Sequence, residues 1–457
     1  MILKTILGGQ VYSFKNLTDV MAKANDEKSG DVLLGRAAET VSERTAAKLV
    51  LSRLTLADFY ENPLLPPETD EVSRVLLEDL NLSIYERIKN WTIGELREWI
   101  LKHETSSEDI LRLSRGIQAE AAAAVAKLMT AMDLVYAASK IRITAACATT
   151  IGLPGTLSFR NQPNHPSDSI EGIIASIAEG VSYGSGDAIL GVNPVEDTAD
   201  NTKAIMQATW DFMQKWELPT QNCVLSHVTT QMAAVEKGAP CCTLFQSVAG
   251  TEEANVAFGV SAKLLHEAYD LIHKLGQAPG PNLLYFETGQ GSEQSINADR
   301  GVDLMTLEAR CYGFARIFKP FMVNNVSGFI GPETLYDGRQ IIRASLEDHF
   351  MGKLLGIPMG MAPCYTNHTK INQDDQEMAT MLLTMAGANY FMGVPVGDDV
   401  MLAYQDTSYH DDATLRELLD LKPAPEFFAW MVKHDLMDQN GRLTEKAGDV
   451  SVFYDKL

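Results

Sequence analysis

Side chains suited to chemistry recur along the second two-thirds of the chain, each just after a short apolar run. Arg160, Asn161 and Gln162 come first, then Asn193-Pro194, His227 and Gln246-Ser247. Glu287-Thr288-Gly289-Gln290-Gly291-Ser292 follows, then Phe329 with Glu333, Cys364-Tyr365-Thr366-Asn367-His368, and Asp398-Asp399. As a set these are amides and hydroxyls with one guanidinium and one prominent carboxylate. Amides and hydroxyls hydrogen-bond a small polar ligand without exchanging protons with it. Glu287 suits an ammonium group, and Arg160 suits a hydroxyl or carbonyl oxygen. Phe258 and Phe329 offer a flat apolar wall.

Each feature also has a purely structural reading. A glutamate after a buried strand serves equally as an ion-pair partner, here for Arg160. His227, His349 and His368 lack metal-ligand spacing with Asp398 or Asp399, so they read as satisfied histidines. Gly289-Gln290-Gly291 misses the third glycine of a dinucleotide fingerprint. Asp398-Asp399 reads as a solvated pair or an anion pair at a helix N-terminus. The vicinal Cys241-Cys242 reads as two core thiols at a strand start. The methionines are core filler, with Met401 of interest only because it follows the last apolar run. Spacing alone describes a small-molecule enzyme with no evident metal dependence.

The apolar runs that position these residues lie at 149–152, 187–193, 223–227, 243–247, 283–287, 321–325, 356–361 and 390–394. Amphipathic stretches such as 204–216, 258–274 and 375–386 separate them. Parallel strands need crossovers of about a dozen residues or more, and these intervals provide them. Near-continuous apolar runs fit strands buried on both faces. Eight such units over roughly 250 residues predict an α/β fold, a (β/α)8 TIM-type barrel, whose strand C-termini carry the active site. A doubly wound open sheet is the alternative. Residues 1–20 predict a hairpin turning at Gly8-Gly9. Residues 30–145 read as helical, with T-x-x-E capping boxes at Thr92-Ile93-Gly94-Glu95 and Thr105-Ser106-Ser107-Glu108. The expected organisation is a hairpin and helical accessory region over 1–145, the barrel over 146–413 and a helical cap over 414–457.

Composition narrows the function classes. The 457 residues carry 60 acidic and 38 basic side chains, a net charge of −22, which disfavours nucleic acid as a partner. No apolar stretch of about 18 residues is present, so no membrane span is expected. The run at 1–7 is too short for a signal peptide. The six cysteines, without CxxC spacing, read as reduced thiols in a cytoplasmic protein.

At these strand ends the sequence resembles the large (α) subunit of adenosylcobalamin-dependent ethanolamine ammonia-lyase, nearly end to end. The segments that carry the resemblance include Thr149-Thr150-Ile151-Gly152-Leu153-Pro154-Gly155-Thr156, Gly191-Val192-Asn193-Pro194-Val195 and His227-Val228-Thr229-Thr230-Gln231. Tyr285-Phe286-Glu287-Thr288-Gly289-Gln290-Gly291-Ser292, Gly328-Phe329-Ile330-Gly331-Pro332-Glu333 and Cys364-Tyr365-Thr366-Asn367-His368 carry it further. The resemblance implies a (β/α)8 barrel that pairs with a small subunit, dimerises and assembles into a hexamer. It implies a cytoplasmic enzyme, with a bacterial microcompartment as the further location the family allows. It implies adenosylcobalamin as cofactor and radical chemistry: hydrogen leaves the hydroxyl-bearing carbon, the amine migrates, and ammonia departs to leave an aldehyde. Arg160, Gln162, Asn193 and Glu287 match the family's substrate-binding positions, with Arg160 and Glu287 in the catalytic roles and Asn161 beside them. Pro194, Gln246, Ser295 and Met401 match positions contacting the cobalamin, with Ser247, Phe258 and Phe329 beside the adenosyl group or corrin.

The family places an aspartate two residues before the Cys-Tyr-Thr-Asn-His segment, where it helps bind the substrate amine. Here that position is Ala362, in Gly360-Met361-Ala362-Pro363-Cys364. Losing one of two counter-charges to a buried ammonium costs about 3–5 kcal/mol if nothing compensates. Three readings follow: an ethanolamine lyase with weaker binding, a lyase for a different 2-amino alcohol, or a chain that keeps barrel and cobalamin contacts but has lost efficient catalysis. Retention of Arg160, Gln162, Asn193 and Glu287 argues against the third. Rivals from other classes are a non-catalytic cobalamin-binding assembly subunit and a metal-dependent barrel lyase.

Overall fold

Eight parallel strands form one sheet in the computed structural model, which describes residues 1–453. They are β1 (Ser158–Asn161), β2 (Ile189–Val192), β3 (Asn222–Val224), β4 (Leu244–Ser247), β5 (Leu284–Thr288), β6 (Met322–Val326), β7 (Met359–Ala362) and β8 (Tyr390–Gly393). The hydrogen-bonded order is β3-β2-β1-β8-β7-β6-β5-β4. Between the two outer strands, the Thr243 amide donates to the Asn222 carbonyl at 3.3 Å. The Cys242 amide donates to Asn222 Oδ1 at 3.1 Å. The sheet is thereby nearly closed into a (β/α)8 barrel.

One unit repeats around it. A strand leads to a loop, a polar side chain caps the next helix, and the helix returns to the bottom. The helices are α1 (Ile170–Ser182), α2 (Ala199–Lys215), α3 (Val228–Glu236), α4 (Ala262–Leu275), α5 (Leu304–Arg316), α6 (Gly338–Leu354), α7 (Gln373–Met385) and α8 (Tyr409–Leu418). Thr198, Ser261, Asp303, Asp337, Asn372 and Ser408 each accept a first-turn backbone N–H, satisfying a donor the helix leaves open. Helices α6 and α7 stop at Gly356 and Gly387, whose φ values of 84° and 80° need a residue without a β-carbon.

Three expectations are corrected locally. The run at 149–152 is not the first barrel strand: Thr150–Ile151 pairs antiparallel with Ala145–Ala146. Strand β1 starts after the Gly152 and Gly155 turns, so Arg160 lies within a strand instead of beyond one. The second capping box is shifted by one residue: Ser106 caps the Ser107–Ser114 helix with Asp109, and Thr105 instead donates to the Trp99 carbonyl. Both registers satisfy the S/T-x-x-acid pattern, and packing chose between them. The Thr92–Glu95 box and the Lys4–Leu7/Gln10–Ser13 hairpin form as read, with positive φ at both Gly8 and Gly9.

The N-terminal helices share one continuous apolar core with the barrel. The helix Ala119–Lys127 buries Ala121 through Ala126 completely, and their small side chains let it lie close against α5 and α6. Three ion pairs cross this seam without solvent contact: Lys127–Asp303 at 2.6 Å, Lys28–Glu347 at 2.7 Å and Arg310–Asp70 at 2.7 Å. Burial and the neighbouring Asp303 push the Asp31 carboxyl up to about 6. Lys127→Met should therefore destabilise the chain by about 3–5 kcal/mol, because it leaves Asp303 buried without its cation. A denaturant-unfolding midpoint checks this. Among the described residues no helix is long and apolar enough to cross a membrane.

Candidate active site

Side chains alternate along β1. Phe159 points outward, stacked on Phe391 with the Arg416 guanidinium 4.4 Å from its ring, while Arg160 points into the barrel. Arg160 is fully buried. One terminal nitrogen donates to the Tyr285 hydroxyl at 2.6 Å and reaches Glu287 Oε1 at 3.4 Å. The other donates to the Gly191 carbonyl at 3.2 Å and to Asn193 Oδ1 at 2.8 Å. The guanidinium lies across β2 at Gly191, where a β-carbon would stand 2.6 Å from its Nε. Burial alone would weaken its hold on the proton, but Tyr285 and Glu287 outweigh burial and raise its pKa.

Glu287 extends from β5 beside Asn324 of β6, its partner in register. Its Oε1 accepts from the Tyr285 hydroxyl and from Asn324 Nδ2, each at 2.9 Å, as well as from Arg160. Its other oxygen takes no protein hydrogen bond, and the side chain keeps 15% exposure, which leaves that oxygen for a ligand. Gln162 donates through Nε2 to Asp399 Oδ2 and faces the Tyr404 hydroxyl, both at 2.6 Å. Asn164 donates to Asp399 Oδ2 at 2.7 Å and accepts the Asn193 amide at 2.7 Å.

What this network leaves open is informative. Gln162 Oε1 and Asn324 Oδ1 are buried and accept nothing. Their amide nitrogens face carboxylates, so neither side chain can flip to relieve this. A buried polar atom without a partner costs about 1–3 kcal/mol. With the open oxygen of Glu287 they make three unused acceptors, while Arg160 Nε and Asn193 Nδ2 are donors without a partner. Three acceptors suit the three hydrogens of an ammonium, and a donor suits a hydroxyl oxygen.

The structure thus gathers Arg160, Gln162, Asn193 and Glu287 into one group, and it separates Asn161 from them. Asn161 points away from the barrel interior, donates to the Ile177 and Ser185 carbonyls at 3.2 and 3.5 Å, and accepts the Tyr409 hydroxyl at 3.0 Å. A strand's period of two sends residues 160 and 162 inward and 161 outward. Asp399 is also corrected: it is buried and accepts from Gln162, Asn164 and the Met401 and Leu402 amides, and only Asp398 is exposed. Tyr285, Asn324, Asn164 and Tyr404 are site residues that the strand-end pattern does not single out. Tyr285 could have been found from its place two residues before Glu287; Asn324 and Tyr404 reach the site only through tertiary contact.

His227 caps α3, and its Nε2 meets the Phe258 carbonyl at 3.0 Å. His349 is buried within α6, where burial drives its pKa well down. His368 is exposed. Among the described residues no three His, Cys, Asp or Glu side chains gather as metal ligands. The six cysteines are unpaired and buried, and burial pushes the Cys242 thiol up to about 12.

The residues matched to cofactor contact ring the same end of the barrel. Pro194, Ser247, Phe258 and Met401 are half-buried, and Ser295 is exposed with its hydroxyl on the Ser292 carbonyl. Gln246 is occupied at both ends of its amide, accepting from the Val228 amide and donating to the Ser247 carbonyl. Phe329 is 38% exposed and stands edge-on to Tyr404. Val195, Val256, Ile296, Val396 and Val400 are exposed on the segments that follow the same strand ends, Val256 within the short helix Glu252–Ala257. A broad apolar rim interrupted by hydroxyls and amides suits a large, flat ligand with amide-bearing edges. These residues fit a corrinoid.

Comparison with known proteins adds an independent line. The family described as "Ethanolamine ammonia lyase large subunit (EutB)" matches residues 12–446. The ethanolamine ammonia-lyase large subunits of Salmonella typhimurium (strain LT2) and Escherichia coli (strain K12) are each 51% identical over 454 residues. Each alignment spans 99% of this chain and 100% of the relative.

Proposed function

The chain belongs to the ethanolamine ammonia-lyase large-subunit family, and from that premise we propose how its residues serve the reaction. It works with a small subunit and adenosylcobalamin to convert ethanolamine, or a close 2-amino alcohol, into ammonia and an aldehyde. The observation that carries this reading is the group of unused acceptors and unused donors around Arg160 and Glu287. Proposed partners are the small subunit and further copies of the chain, as dimers within a hexamer. The proposed setting is cytoplasmic, with a microcompartment as the further location.

The free oxygen of Glu287 holds the ammonium, helped by Gln162 Oε1 and Asn324 Oδ1. Asn193 donates to the hydroxyl oxygen, and Arg160 keeps Asn193 and Glu287 at fixed separation. When bound, adenosylcobalamin supplies the radical chemistry that removes hydrogen from the hydroxyl-bearing carbon. Pro194, Gln246, Ser247, Phe258, Ser295, Phe329 and Met401 would hold it. The remaining residues orient the amine and hydroxyl and exclude water, where preorganised hydrogen bonds are worth several kcal/mol in order of magnitude. Glu287 accepts the amine's hydrogens as the group migrates, so the departing ammonia stays partly protonated.

The test is reconstitution of the chain with its small subunit and adenosylcobalamin, with ammonia and aldehyde measured across 2-amino alcohols. Equal amounts of both products from at least one substrate are expected. Absence of ammonia together with absence of a substrate-induced radical signal in electron paramagnetic resonance would leave a non-catalytic assembly subunit. A second reading, altered substrate choice, rests on Ala362: the inward positions of β7, Gly360 and Ala362, bring no carboxylate. That reading fails if ethanolamine proves as good a substrate as any analogue.

A further inference from the structure

Ala362 is fully buried in a small cluster with Cys364, Met392 and Tyr404, at the end of β7 nearest the site. A short antiparallel pair, Asp398–Asp399 with Tyr404–Gln405, folds over this end. The chain leaving it is pinned across β7 and β8. Tyr365 and Gln405 exchange both backbone hydrogen bonds, at 3.0 and 2.9 Å, and the Val394 amide donates to the Thr407 carbonyl at 2.9 Å. Between these anchors sits Asp406, whose own amide donates to the Gly397 carbonyl at 3.1 Å.

Asp406 is 4% exposed. Its Oδ1 accepts the Thr407 amide at 2.8 Å, but its Oδ2 is buried and accepts nothing. No basic side chain pairs with it among the described residues. The Tyr365–Gln405 pairing sets it opposite Cys364, and Tyr404, Asp399 and Arg160 of the site act on it electrostatically or are acted on by it. Burial drives its pKa well up, only partly opposed by the Thr407 hydrogen bonds and Arg160. A buried carboxyl with an idle oxygen is costly, and asparagine would keep the Thr407 bond without that cost. A cationic ligand gives the acid a purpose.

We propose that Asp406 is the second carboxylate of the amine subsite, reaching it from the loop after β8 in place of a carboxylate at the end of β7. This rests on the amino-alcohol reading above. The free chain holds Asp406 as the neutral acid, and a bound ammonium converts it to the carboxylate, its proton passing to solvent. The pocket then keeps two counter-charges, and Ala362 supplies the room that Asp406 needs.

The experiment compares wild type, Asp406→Asn and Ala362→Asp/Asp406→Asn, each reconstituted with the small subunit and adenosylcobalamin. Asp406→Asn should raise KM for ethanolamine by about a hundredfold, the scale of losing one partner of a buried charge pair, with a smaller change in kcat. The melting temperature of the Asp406→Asn chain alone should hold or rise, because an idle buried acid is gone. The double variant, which puts the carboxylate back on β7, should recover at least tenfold in KM. Calorimetric binding of ethanolamine to the complex loaded with non-reactive cyanocobalamin, in two buffers of different ionisation heat, should show proton release in wild type and none in Asp406→Asn. An active wild type whose KM moves less than about twofold on Asp406→Asn would overturn the assignment alone. So would a double variant no better than Asp406→Asn, or a lowered melting temperature that accounts for the loss. A wild type that releases no ammonia from any amino alcohol sinks the functional reading, and this one with it.

Discussion

Glu287→Gln is expected to lower kcat/KM for ethanolamine by about a hundred- to several-thousandfold. The substitution keeps the shape and retains an oxygen for Tyr285 and Asn324. It removes the counter-charge proposed for the ammonium and leaves the Arg160 guanidinium buried without its anion. Breaking a buried pair on one side costs about 3–5 kcal/mol, and about 1.4 kcal/mol is a factor of ten in rate. Steady-state kinetics on the reconstituted complex measure the loss, and denaturant unfolding of the same chain separates it from destabilisation. An effect smaller than tenfold would show that Glu287 serves Arg160 and not the amine. Loss in kcat as well as in KM is expected on the proposed mechanism, in which the amine stays held as it moves.

Arg160 should prove as sensitive, and in a way that charge alone does not explain. Its two terminal nitrogens serve Tyr285, Glu287, Asn193 and the Gly191 carbonyl at once. A lysine keeps the charge but is a point donor without the planar fork. Arg160→Lys should therefore lose about a hundredfold in kcat/KM, the worth of two mispositioned hydrogen bonds at roughly 1.5 kcal/mol each. Arg160→Met should lose more and also destabilise the chain, because Glu287 keeps only neutral partners. Kinetics and unfolding of the two variants side by side check this. Equal losses would mean that the planar fork is all Arg160 contributes and that its charge adds nothing.

The barrel was legible because its unit repeats: apolar run, polar strand end, amphipathic helix. Parallel strands buried on both faces write that pattern directly into the chain. The same logic picked out Arg160, Gln162, Asn193 and Glu287, which the fold brings together. Errors arose where a local pattern had two solutions. The run at 149–152 is as apolar as a barrel strand but forms a small antiparallel pair, and the second capping box allowed two registers. Asn161 is adjacent to Arg160 and Gln162 in sequence, but the strand's period of two turns it to the outer face.

Most of the remaining site was written nowhere locally. Asn324 meets Glu287 because β6 pairs with β5 in one register. Asp399 and Tyr404 reach Gln162 because a short antiparallel pair folds back over β7 and β8. Whether an aspartate is a solvated surface charge or a buried acid depends on what covers it, and that cover comes from residues far along the chain. The amino-acid sequence alone determined the barrel, the family and the position where a carboxylate is absent, since repeat, composition and motif are properties of order along the chain. Only the tertiary structure decided which polar atoms are left without partners and where another carboxylate stands, since burial and hydrogen-bond completeness are properties of neighbours in space.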